Sequence, residues 1–175
     1  MIYLPTSEKT LFERRVKDKS TMKICIYEKS VSLDASVETV FAFHENPENL
    51  RKISPASLKV EKIVADPRAV PGGTFELEAS QFGLPIHWIG RWELVDAPHM
   101  LVDVGVRCPF PFFRHTHRFD FIGPSATRMT DRVEYAFPFG WIGWFAGITG
   151  GRLALAAMFA ARHRATRQYF GKSSD

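Results

Sequence analysis

A chain of 175 residues with 45% hydrophobic content can bury one substantial core and is too short for two comfortable ones. Its net charge of +4 is carried at the ends: residues 1–23 hold six basic and three acidic groups, residues 151–175 five and one, and residues 24–150 twelve and fifteen. A nucleic-acid footprint would gather Lys and Arg on one element with interleaved aromatics, whereas Arg152, Arg162, Arg164 and Arg167 are scattered around a helix, so no nucleic-acid partner is expected.

Residues 1–15 include Glu8, Lys9, Glu13, Arg14 and Arg15 and no uninterrupted apolar stretch, which is not the build of a secretory signal. Cys25 and Cys108 have no C-x-x-C spacing; they form neither a disulfide framework nor a zinc ribbon and fit a reducing compartment, with the cytoplasm as the expected location. The one long apolar run, from Phe137 to Ala161, is broken by Arg152 and by glycines at 140, 143, 147, 150 and 151. A buried helix behind a Gly-rich loop fits it better than a membrane span.

In chain order, residues 1–22 are polar and end at Met22, just before the first β-patterned stretch. They read as an extension, of the kind an upstream start codon would add, ahead of a domain over residues 23–171 with 172–175 as a tail. Between Lys23 and Leu33, the residues Ile24, Ile26, Tyr27 and Val31 predict a strand, and Asp34-Ala35-Ser36 offers helix N-caps. Val37, Val40, Phe41 and His44 then fall at helical spacing, and Asn46-Pro47 stops that helix and opens a second short one over Glu48 to Ile53. After Pro55 the apolar period changes from 3.6 to 2, and six strands are predicted near 57–65, 73–82, 86–95, 100–107, 113–122 and 127–137. Pro71-Gly72-Gly73, Gly83-Leu84-Pro85, Asp96-Ala97-Pro98 and Gly123-Pro124-Ser125 mark turns between them. The last element, Gly151 to Phe170, is rich in Ala, Leu and Arg without internal Pro or Gly, which predicts a helix of about five turns.

The predicted class is α+β: a seven-stranded, curved antiparallel sheet, two short helices after the first strand, and one long C-terminal helix. Such a sheet buries its apolar face only by bending around the helix, and it does not close on it fully. The volume left between the concave face and the short helices is where a small apolar molecule would sit.

Alternation decides which side chains face inward. In the sixth strand Phe113, His115, His117, Phe119 and Phe121 share one face, opposite Arg114, Thr116, Arg118 and Asp120, so the aromatic set is the buried one. In the seventh, Met129, Asp131, Val133 and Tyr135 share the inner face. A tight hairpin over Gly123 to Ala126 that pairs Phe121 with Thr127 places His117 directly opposite Asp131. A buried carboxylate beside an imidazole makes a polar anchor for a ligand, or simply a core hydrogen bond; both readings stand. Trp88 and Trp92 share one face of strand four and read as wall or ligand platform. Leu155, Phe159 and Arg162 lie along one side of the last helix, so Arg162 either reaches an anionic group or faces solvent.

His115-x-His117 with His44 and His163 elsewhere raises a metal reading, but no H-E-x-x-H or carboxylate-rich companion motif accompanies it and no metal is expected. No G-x-S-x-G is present, Cys108 precedes a proline without an obvious base, and Gly72-Gly73 is a turn, not the start of a phosphate loop. No cofactor is expected.

The motifs Phe41-x-x-His44-x-x-Pro47-x-Asn49-Leu50 with Pro55, then Asp103, Pro109-Phe110 and His115-x-His117-x-Phe119, run in a fixed order. They continue as Asp131-x-Val133-x-Tyr135-x-x-Pro138-x-Gly140-x-x-Gly143 and end with Phe159-x-x-Arg162-His163. Over about residues 22–171 the chain resembles the START-like, polyketide-cyclase-like and birch-pollen-allergen-like ligand-binding domains called SRPBCC proteins. It is most similar to a bacterial branch found alone or fused ahead of a sugar-nucleotide-epimerase-like domain often labelled a cell-division inhibitor. Two positions depart from that branch: Phe113 stands where Trp is usual, and Cys108 where Gly is. The resemblance implies a helix-grip fold that binds a hydrophobic or amphipathic small molecule.

Three functions are therefore weighed. The first is a binder or carrier whose pocket is lined or gated by His44, Trp88, Trp92, Phe110, His115, His117, Asp131, Tyr135, Phe159 and Arg162. The second is a cyclase- or dehydratase-type enzyme with His117 as general acid or base oriented by Asp131. The third is a protein-interaction module that meets an epimerase-like partner through the C-terminal helix.

Overall fold

The structure, a computed structural model, describes residues 22–81, 83–137 and 152–171. All of the expected extension at 1–22 except Met22, the expected tail at 172–175 and the Gly-rich segment with Pro138, Gly140 and Gly143 lie outside the described residues. The elements are β1 (Cys25–Leu33), α1 (Val37–His44), a 3-10 turn (Pro47–Asn49), α2 (Leu50–Ile53), β2 (Leu58–Ala65), β3 (Thr74–Gln81), β4 (Leu84–Asp96), β5 (Met100–Arg107), β6 (Phe112–Gly123), β7 (Ala126–Ala136) and α3 (Arg152–Gly171).

Local chemistry sets the boundaries. Of the three candidate caps before α1, Ser36 takes the role, its side chain accepting from Thr39 N at 3.3 Å. Asn46 accepts from Glu48 N at 3.0 Å and Pro47 sits in the first turn. The predicted second helix is thus split: its first residues form the 3-10 turn and only Leu50–Ile53 is α-helical. Gly72 and Gly83 adopt φ of 81° at the turns before β3 and β4, a backbone state that a Cβ disfavours.

All seven strands form one antiparallel sheet in the order β1-β7-β6-β5-β4-β3-β2. β1 pairs with the last strand, so the meander is closed on its far side by the first strand of the chain. On the convex face the outward residues make an alternating charge ladder: Glu28 to Arg132 at 2.9 Å, Arg132 to Glu134 at 3.6 Å, Glu134 to Arg114 at 3.6 Å and Arg114 to Glu93 at 2.5 Å. Exposed pairs of this kind contribute at most about 1 kcal/mol each, and their main effect is to fix which face looks outward. This is the helix-grip arrangement that the resemblance implies.

The concave face carries two apolar clusters. One gathers Val31, Leu33, Val40, Phe41, Trp92, Leu101, Phe119, Met129 and Phe170; the other gathers Tyr27, Phe113, Val133, Tyr135, Leu155 and Phe159, with Trp88, Phe110 and Phe137 packed against it. β1, β6, β7 and α3 contribute to both, so β6 runs from Phe113 through His115 and His117 to Phe119, and α3 from Phe159 through His163 to Phe170. The residues between the clusters are polar on every one of these elements. The core is therefore a sandwich of two aromatic layers with a titratable layer between them.

One expectation fails. Phe121 shares the inner parity of Phe119 but is 66% exposed, because the ladder shifts register between Phe121 and Gly123 and the hairpin there has left the core.

Candidate functional site

The middle layer is built on strand pairing. His117 is the direct cross-strand partner of Asp131, and Phe121 pairs with Thr127, as the tight hairpin requires. On the other side of β6, Asp103 of β5 is the cross-strand partner of His115. All of these residues have inward parity, and Asp103, His115, Asp131 and His163 are buried.

Asp131 is the centre of the layer and has no exposed surface. His115 Nε2 donates to its Oδ1 at 3.2 Å and His163 Nε2 donates to its Oδ2 at 2.6 Å. His117 Nδ1 lies 2.6 Å from Oδ1, yet its direction misses a linear hydrogen bond and the atom is left without one. Burial alone would raise the Asp131 pKa, but the charge of His117 and the close polar contacts of the three imidazoles outweigh it and hold the group well below the usual carboxylate range. Asp131 is thus a fixed anion that orients three rings.

The neighbours divide by environment. Asp103, with Oδ2 3.6 Å from His115 Nδ1, has no such set of donors, and burial pushes its pKa up to about 6. His117 titrates below the ordinary imidazole value, first through burial and then through repulsion from His115. His44 is pushed down to about 3 by burial and by His117; its Nδ1 donates to Val40 O at 2.7 Å, so the neutral ring carries its lone pair on Nε2. Its ring centroid is 5.5 Å from that of His117.

α3 closes the layer. The buried stripe of this helix is Leu155, Phe159, His163, Thr166 and Phe170, at spacings of three and four. Arg162 lies beside that stripe, with its guanidinium carbon 5.3 Å from the centroid of the Phe159 ring and its Nε buried without a hydrogen-bond partner. Burial lowers its pKa while Asp131 and Asp103 raise it, which places the cation within the field of both carboxylates.

Of the residues expected from the sequence, His44, His115, His117, Asp131, Phe159 and Arg162 come together here. Trp88, Phe110 and Tyr135 gather at the adjoining aromatic cluster, where Trp88 meets Phe113 edge-on at 4.6 Å and Phe110 meets Tyr135 at 6.0 Å. Trp92 does not join them. It is 7% exposed in the other cluster, packed on Phe75 at 5.2 Å and bonded through its backbone to Gly72 and Gly73. Three site residues stand outside the expected pocket lining: Asp103 and His163, which the sequence offers only as motif residues or, for His163, in the metal reading, and Tyr27, whose hydroxyl is buried without a partner. The parity of β5 against β6 is the signal for Asp103, and the i+4 step from Phe159 is the signal for His163.

Taken together, the grip of a curved sheet on one long helix, with a polar layer between aromatic clusters, defines a helix-grip domain. Residues 25–169 match the profile of the family described as polyketide cyclase / dehydrase and lipid transport, and the chain belongs to that family, which is of the SRPBCC, START-like type. Among curated proteins none matches. Solved structures share the fold at low identity. A Chromobacterium violaceum protein superposes with a TM-score of 0.65 at 14% identity, covering 83% of this chain and 96% of its own. Norcoclaurine synthase from Thalictrum flavum gives 0.64 at 16% identity, with 88% and 98% covered. The ZhuI aromatase/cyclase from Streptomyces sp. R1128 gives 0.62 at 14%, with 84% and 96% covered. No helix among the described residues is long and apolar enough to cross a membrane.

Proposed function

We propose that the protein binds an amphipathic small molecule on the concave side of its sheet. The apolar part lies on the aromatic cluster around Trp88, Phe110, Phe113 and Tyr135, and the polar group meets the layer around Asp131. The observation that carries this reading is a set of buried polar atoms with no hydrogen-bond partner: Tyr27 OH, Arg162 Nε and His163 Nδ1. A folded domain leaves few such atoms, and leaving one unsatisfied costs about 1–3 kcal/mol. All three belong to residues grouped around Asp131, beside an apolar wall, which is the composition of a ligand pocket.

Membership in a family described by cyclase, dehydrase and lipid-transport activities agrees with a guest of this chemistry. The test is native mass spectrometry of protein purified from its own host, followed by displacement of a fluorescent apolar probe by long-chain and aromatic acids. A bound, solvent-extractable mass and competitive displacement are expected. Protein of bare mass that displaces the probe with neither class of acid refutes the reading.

A second reading is favoured by one geometric fact: His117 sits 2.6 Å from a buried carboxylate that fixes its orientation. That is the arrangement of a general acid–base pair, and a positioned imidazole contributes roughly 10²–10⁴-fold to a proton-transfer step. Under it, the bound molecule undergoes cyclisation or loss of water with His117 moving the proton. His117→Ala would then abolish turnover while affinity stays within a few fold; loss of binding alone assigns the residue to the pocket only.

A further inference from the structure

We propose that Asp103, His115 and His117 form a binding site for a first-row divalent transition-metal ion. The inference is independent of the amphipathic-ligand reading, since it concerns donors that need no organic guest.

One ligand atom from each of the three residues lies within 4.8 Å of the other two. Asp103 is 6% and His115 5% exposed, and the ring centroids of His115 and His117 are 4.0 Å apart. The donors come from paired strands, not from a loop: His115 and His117 are two apart on β6, and Asp103 is the cross-strand partner of His115. Backbone hydrogen bonding therefore fixes all three Cβ positions. Ions of this kind sit about 2.0–2.2 Å from nitrogen and oxygen donors, so the donor atoms must draw closer, and rotation of two rings and one carboxylate about their side-chain torsions is the movement required.

The surroundings match what metal-bound imidazoles need. A ligating histidine usually gives its other ring nitrogen to a carboxylate, which fixes the tautomer and raises the basicity of the ligand. Asp131 stands in that position for both rings: Oδ1 takes the His115 Nε2 hydrogen bond at 3.2 Å and lies 2.6 Å from His117 Nδ1. That leaves His115 Nδ1, the nitrogen 3.6 Å from Asp103 Oδ2, and His117 Nε2 to bind the ion. The interior also holds two carboxylates, Asp103 and Asp131, in the field of one guanidinium, Arg162, with the imidazoles of His44 and His163 alongside. A dication compensates charge that Arg162 alone does not. Two imidazoles and one carboxylate select Zn, Fe, Co or Ni over Mg and Ca, which prefer all-oxygen shells. No metal was expected from the sequence because no H-E-x-x-H or carboxylate-rich motif accompanies His115-x-His117; β5 and β7 supply two carboxylates in space.

The experiment uses tag-free, full-length protein stripped with a chelator and titrated with Zn²⁺ and with Co²⁺ by calorimetry and visible absorption. One equivalent of either ion is expected to bind, with Co²⁺ ligand-field bands and a rise in melting temperature. His115→Ala, His117→Ala and Asp103→Asn should each abolish stoichiometric uptake, Asp131→Asn should weaken it about 10–100-fold, and His87→Ala, on a solvent-accessible histidine paired with Glu76, should leave it unchanged. Should a variant fail to fold, Co²⁺ added to the wild type must still broaden or shift the ring protons of His115 and His117 and spare those of His87. Absence of stoichiometric uptake, uptake that survives both histidine variants, or paramagnetic effects centred on other residues overturns the proposal.

Discussion

His163 reaches from α3 across the interior to place its Nε2 2.6 Å from Asp131 Oδ2, on the carboxylate that already faces His115 and His117 from β6. This one contact ties the helix to the sheet at the level of the polar layer. It also makes Asp131 the most consequential single side chain of the domain.

Replacing Asp131 by Ala leaves His115 and His163 without their acceptor, and His117 without its counter-charge, in a buried layer. Breaking a buried charged contact of this kind costs about 3–5 kcal/mol. Urea unfolding of Asp131→Ala is expected to show that loss, with Asp131→Asn intermediate because an amide oxygen still accepts. A loss below about 1 kcal/mol in the alanine variant would mean that the imidazoles are satisfied elsewhere.

Stability of the metal-free protein should fall as pH drops from neutrality. His44 is folded with a pKa of about 3 against an ordinary 6.5, so the unfolded chain binds more protons across that window and stability rises with pH through it. His117 is shifted in the same direction. Asp103 acts oppositely: its folded pKa of about 6 lies above the ordinary 3.8, so between those values the native state holds the extra proton and loses stability as pH rises. Asp131, Arg162 and the two remaining imidazoles face the same layer, and the Asp131 contribution is lost only below the ordinary carboxylate value. Urea midpoints between pH 4 and 7 should thus show a shallower dependence in His44→Gln and a steeper one in Asp103→Asn. Parallel profiles for the two variants would contradict these assignments.

Gly90 is expected to tolerate no side chain. A Cβ there would lie 2.6 Å from Phe75 Cε2, and the ring, held against Trp92 at 5.2 Å, cannot swing away cheaply. Gly90→Ala should cost about 1–3 kcal/mol, the range for overpacking a core. The double variant with Phe75→Leu should recover part of it, and additive losses in a thermodynamic cycle would place the clash elsewhere.

Thr127, fully buried, donates to Ala35 O at 2.8 Å and anchors the chain where it leaves β1 for α1. Thr127→Val keeps the volume and removes the donor, leaving a half-buried carbonyl without this partner, so a loss of about 1 kcal/mol is expected by thermal or urea unfolding. An unchanged midpoint would show that Ala35 O finds another donor.

What the sequence by itself determined is whatever depends on neighbours along the chain: the order of elements, the seven strands, the parity that turns His115, His117 and Asp131 inward, and the pairing of His117 with Asp131. The last follows from a two-strand hairpin, where a short turn sets the register of every pair behind it. Only the tertiary structure decided what joins that pair. Asp103 arrives opposite His115 through the β5–β6 register, Met100 with Arg118 to Val104 with Arg114, across a connection too long for a tight-turn rule to set. Arg162 and His163 are adjacent on a helix, about 100° apart, and which of them meets the carboxylate depends on how α3 rotates as it docks. Phe159 and Phe170, each buried in a different aromatic cluster, fix that rotation, and with it the identity of the third imidazole. Contacts between elements far apart in the chain are set by packing, and no local pattern encodes the angle at which two surfaces meet.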